Sequence, residues 1–92
     1  GLALGELDSE TRKRFDIPTK VDSGAVVTDV DPRSSVGKAG VSPGDVIIQV
    51  DQNPVNNVKE FRQHAGKVED AKSTLLLIAR ESGTIFVLVK QS

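Results

Sequence analysis

Ninety-two residues with 37% apolar, 3% aromatic and 27% charged side chains make one lean globular domain, too small for a catalytic domain plus a regulator. Twelve basic against thirteen acidic residues leave a net charge of -1, which gives no electrostatic grip on a phosphate backbone and argues against nucleic acid as a partner. Cysteine is absent, which removes disulfides, thiolate nucleophiles and sulfur-ligated metals together, and an apolar run such as Leu75 to Ala79 is far below the roughly 20 residues of a membrane-spanning helix. No membrane insertion is expected.

The chain opens on Gly1-Leu2-Ala3-Leu4, without a methionine or a signal-peptide pattern, and reads as a single domain, residues 1–92, excised from a longer protein. Leu2, Leu4 and Leu7 predict a short strand interrupted by Gly5. From Asp8 or Ser9 as N-cap, an acidic first turn and the basic Arg12-Lys13-Arg14 predict a short helix that Pro18 ends. Ala25 to Val30 is β-branched and closed by Asp31-Pro32, a strand; Ser34 or Ser35 then caps a brief helix ending at Gly40. Turn chemistry at Ser42-Pro43-Gly44-Asp45 leads into a strand at Val46 to Val50. A second turn, Asp51 to Pro54, leaves Val55 as a single extended position. Asn56 or Asn57 caps the longest helix, Val58 to Lys67, with Phe61 facing the core. Leu75 to Arg80 and Thr84 to Val89 form a hairpin joined by Glu81-Ser82-Gly83.

These elements predict an α+β fold: a partly open β-barrel or sandwich of five to six strands, with one main helix and one or two short ones covering its open sides. Incomplete closure leaves a strand edge whose unpaired N–H and C=O groups must be covered, charged or given a partner.

Catalytic constellations are missing. His64, the single histidine, falls on the solvent side of its helix with no flanking serine signature, so no nucleophilic triad is assembled. Asp29 and Asp31 share a strand face beside a turn and read as solvated carboxylates. Gly37-Lys38-Ala39-Gly40 with Gly44 lacks the order of a phosphate-binding loop. Ligand spacing for a metal is absent. Neither catalytic residues, metal nor cofactor is expected.

Gly24 to Val30, Ser34 to Val41 and the run Gly40-x-x-x-Gly44-Asp45-x-Ile47-x-x-Val50-Asp51 behind Ala39 strongly resemble a PDZ domain. The order, with an apolar glycine-led strand first and a hairpin last, resembles the permuted PDZ type of bacterial HtrA/Deg serine proteases. Gly1 to Leu7, the helix that begins Ser9-Glu10-Thr11-Arg12, and Ile17-Pro18 are most similar to the second, C-terminal PDZ of periplasmic Do-like members. That resemblance implies a non-catalytic, periplasmic peptide-binding module of a serine endoprotease, with part of its carboxylate-binding loop ahead of Gly1. Its implied partners are C-terminal or extended segments of client proteins, an upstream protease domain and a sister PDZ.

Strand addition gives the physical form of this expectation: Gly1, Leu2, Ala3 and Leu4 offer a strand edge and a nest of N–H donors, while Val58, Arg62 and Ala65 line the helix wall. Phe61 at the pocket floor is the competing assignment. Leu2, Leu4, Val58 and Ala65 read from composition alone are core residues. A second expectation is a structural module for assembly or docking onto the protease, with a vestigial cleft.

Overall fold

The computed structural model describes residues 2–65 and 73–90. Six strands form one antiparallel sheet, β1 (Leu2–Glu6), β2 (Ala25–Val30), β3 (Val46–Val50), β4 (Asn53–Pro54), β5 (Ser73–Arg80) and β6 (Gly83–Lys90), ordered β1-β2-β3-β5-β6 with β4 beside β3. Three helices complete it: α1 (Ser9–Phe15), α2 (Ser35–Lys38) and α3 (Val58–Ala65). The helix predicted to reach Lys67 has its last two positions outside the described residues.

The first half of β2, Ala25 to Val27, is buried on both faces, and its apolar run reflects that. Ala25 and Val27 point into the main core with Ile47, Val50, Leu76, Ile78, Val87 and Val89. Val26, one residue out of phase, enters a second cluster with Val46, Ala79, Ile17 and Val21. The second cluster is roofed by Phe15 at the end of α1 and by Leu7.

Local chemistry departs from the sequence expectation at several points. Gly5 does not interrupt β1; it pairs with Val26, and a Cβ there would lie 3.0 Å from Thr28 Cγ2. The irregularity falls instead between Ala3 and Leu4, where the register steps from Asp29 to Val27 and leaves Thr28 as the extra residue of a bulge. Pro18 does not end α1. Asp16 does so in the left-handed region (φ 53°), two residues earlier. The turn before Val55 is shorter than expected: Asp51 and Gln52 both adopt positive φ and reverse the chain so tightly that Asn53–Pro54 already pairs with β3, and the Val55 N–H then donates to Ile48 O at 2.9 Å. The β5–β6 link is also shorter than expected, since Gly83 already pairs with Arg80.

Glycines 40 and 44 serve turns. Gly44, at φ 93°, lets its N–H reach Val27 O at 2.8 Å, which docks the turn onto β2.

Candidate peptide-binding groove

β1 pairs with β2 along one side and, among the described residues, with no strand along the other. α3 lies near that free edge. Its first turn is organised by side chains: Asn57 Oδ1 accepts the Glu60 N–H at 2.8 Å, and Glu60 Oε1 accepts the Asn56 N–H at 2.9 Å. Asn57 is therefore the cap. A third acceptor comes from β1 itself, where Glu6 Oε1 takes the Val58 N–H at 3.0 Å and ties strand to helix.

Alternation places Leu2, Leu4 and Glu6 on one face of β1. Leu2 and Leu4 are half-buried and pack on the main core cluster, as do Val58 and Phe61 of α3. Ala3 is exposed. The two elements thus share an apolar strip that is neither fully core nor fully surface, beside backbone groups with no partner in the sheet. Such an arrangement accepts an extended chain as a further strand and a side chain of that chain on the apolar strip.

Among the expected site residues, the structure brings Leu2, Ala3, Leu4 and Val58 together at this edge and leaves Arg62 exposed one turn along α3. Gly1 lies outside the described residues, and Ala65 is placed only as the last residue of α3. Phe61 packs toward the core while sharing the strip with Val58. His64 is half-buried rather than solvent-facing, because it sits three residues after Phe61 and shares its side of the helix. Glu6 is not among the expected residues; its parity with Leu2 and Leu4 is the signal the sequence offers for it.

The basic run on α1 divides in two. Lys13 and Arg14 are exposed, whereas Arg12 is half-buried and donates from Nη1 to Pro18 O (3.3 Å) and from Nη2 to Val21 O (2.6 Å), fastening the loop over the second core. Asp29 and Asp31 are exposed, and their carboxylates accept local backbone N–H groups, from Val30 and Arg33, with the Arg33 side chain 3.9 Å from Asp31. No group of three or more metal-ligating side chains occurs among the described residues.

Comparison with known proteins decides the family. The PDZ domain family model matches residues 3–79. This chain belongs to the PDZ family. It is 37% identical over 89 residues to the periplasmic serine endoprotease DegP of Salmonella typhimurium, covering 95% of this chain and 18% of that protein. With the periplasmic pH-dependent serine endoprotease DegQ of Escherichia coli K12 it shares 30% identity over 89 residues, 97% of this chain and 19% of the relative. The chain therefore spans about a fifth of the length of these relatives. In fold it is similar to the HtrA3 PDZ domain, crystallised with the phage-derived ligand FGRWV, at a TM-score of 0.78 and 20% identity, covering all of this chain and 83% of the other.

Within the PDZ family the chain is similar to the HtrA type, and its single open antiparallel sheet matches the fold of HtrA PDZ domains. A PDZ domain is a non-catalytic module; the endoprotease named in the relatives is a property of the longer proteins.

Proposed function

We propose that this chain is a peptide-binding regulatory module of a periplasmic HtrA-type serine endoprotease, capturing extended or C-terminal segments of client proteins by strand addition. The observation that carries the reading is the free edge of β1 lying next to α3, with Leu2, Leu4, Val58 and Phe61 half-buried along the same strip. The ligand-bound state of the HtrA3 PDZ domain supports it by kinship.

In this reading the peptide lies antiparallel to β1. Gly1 and Leu2 meet its terminal carboxylate with N–H groups, the apolar strip beside Leu2 receives the terminal aliphatic side chain with Ala65, the last residue of α3, at the helix wall, and Val58, bonded to Glu6, faces the upstream part of the ligand. Arg62, exposed on α3, pairs with an acidic residue a little upstream. A few strand hydrogen bonds at a net of about 1 kcal/mol each and one buried aliphatic side chain at about 1.5–3 kcal/mol must exceed the cost of ordering the peptide. Micromolar or weaker dissociation constants follow, since about 1 μM corresponds to roughly -8 kcal/mol.

Titration with labelled peptides ending in free or amidated carboxyl groups tests the reading. The free form binds more tightly, and Leu2→Asp removes the difference by placing an anion beside the ligand carboxylate. Equal binding of both forms by the wild type excludes carboxylate capture.

A second reading, assembly or docking onto a protease domain, is favoured by one observation at the other end of the sheet. Phe86 and Leu88, 65% and 49% exposed, stand on β6, whose outer edge has no strand partner among the described residues. Sedimentation of the parent protein with Phe86→Lys tests it.

A further inference from the structure

Glu6 marks the place where the apolar strip of the groove ends. It closes the face of β1 that carries Leu2 and Leu4, and its Oε1 accepts the Val58 N–H at 3.0 Å, joining the two walls across 52 positions of sequence. That bond fixes where the carboxylate sits. A carboxylate has about four acceptor directions, and among the described residues the Glu6 side chain uses one. The ion pairs of the described residues are Arg33 with Asp31 and Arg80 with Asp45, so Glu6 has no cation of its own there. Its surroundings do not neutralise it either: Asp8 is exposed two residues on, and Glu60 is committed to Asn56. Lys59 is exposed, while Arg62 stands a full turn further along α3, towards the other end of the groove.

An antiparallel strand advances one residue per residue of its partner. With the terminal residue of a ligand opposite Leu2, the residue opposite Glu6 is about four positions upstream of the carboxyl end. We propose that Glu6 is a specificity determinant of this groove, selecting peptides that carry a cationic side chain about four residues before a free, apolar carboxyl end. The inference rests on the strand-addition reading above. In it, Glu6 holds the helix with one oxygen and recognises the ligand with the other.

The test uses labelled peptides with one apolar C-terminal tripeptide and Lys, Ala or Glu placed in turn three, four or five residues before the last. Wild type, Glu6→Gln and Glu6→Ala are titrated at low and high salt. An exposed ion pair predicts a preference for Lys over Glu of about two- to fivefold at one of these positions, reduced at high salt. Glu6→Gln keeps an acceptor for the Val58 N–H and loses the charge, so it retains affinity for the Ala peptides and shows no preference between Lys and Glu. Glu6→Ala loses the preference as well and binds all peptides more weakly. A merely structural Glu6 would leave the Lys/Glu ratio unchanged in Glu6→Gln. Equal affinities for Lys and Glu at all three positions on the wild type, or a preference that survives Glu6→Gln, overturn the inference alone. Failure of every peptide to bind overturns it together with the strand-addition reading.

Discussion

Asp45 is 5% exposed, and both of its carboxylate oxygens are occupied. Oδ1 accepts from Arg80 Nε at 2.8 Å, and Oδ2 accepts from Arg80 Nη2 at 2.8 Å and from the Ser42 N–H at 2.9 Å. The same Nη2 donates to Gly40 O at 2.7 Å, so one guanidinium holds both ends of the Gly40 to Asp45 turn against the end of β5. The hydrogen bond with Asp45 raises the Arg80 pKa. A raised arginine stays charged at every working pH, and its contribution is lost only above its already high titration range. Removing it leaves a buried carboxylate without its cation. Arg80→Ala is expected to lower the unfolding free energy by about 3 kcal/mol, the low end for breaking a buried pair, because the Arg80 side chain is one-third exposed. Urea denaturation reads this; a loss below about 0.5 kcal/mol, the ordinary effect of a surface substitution, contradicts it. The Gly44-Asp45 pair was legible as turn chemistry, but its partner was not, since no local pattern connects residues 35 positions apart.

At the scale of elements, α1 shows how one cap organises a segment. Asp8 Oδ1 accepts the Thr11 N–H at 2.9 Å while Thr11 Oγ1 accepts the Asp8 N–H at 3.0 Å, a reciprocal capping box. Thr11 Oγ1 also lies 2.8 Å from Glu6 O and donates to it, fastening the helix start to the end of β1. The Thr11 N–H, outweighing an opposing desolvation effect, holds the Asp8 pKa below its ordinary value. A depressed carboxyl stabilises the fold above its unfolded-state pKa and loses that contribution as pH falls through the folded value. Asp8→Ala is therefore expected to melt at a lower temperature than wild type at neutral pH, with the gap closing as pH drops through the carboxylate range. A gap independent of pH contradicts the assignment. The cap was visible in the order of residues, as were β2 and β3, whose β-branched runs are bounded by Asp-Pro and Pro-Gly-Asp. β4 was hidden because a two-residue Asn-Pro strand carries no periodicity; the positive φ of Asp51 and Gln52 creates it. The bond from Glu6 to α3 was hidden for the reason that hid Arg80, its two ends being distant in sequence.

At the scale of the whole molecule, the described residues form an open sheet with two unequal edges. β1 presents its edge beside α3 and an apolar strip, while β6 presents eight residues with Phe86 and Leu88 outward and only the four-residue α2 near it, whose Ser35 and Lys38 line a shallow hollow with Leu88 and Lys90. Sequence reading found the first edge because a glycine-led leucine strand precedes the PDZ motif; it passed over the second because Ile85 to Val89 is an unbroken apolar run, which does not tell which of its side chains face out. Which edge takes up a peptide is the point on which the functional reading turns. Amide hydrogen exchange, residue by residue, with and without a saturating peptide of free carboxyl end, answers it directly. Strand addition at the groove predicts slowed exchange at β1 amides, with those of β6 unchanged. Slowing confined to β6, or no slowing at β1 under saturation, contradicts it.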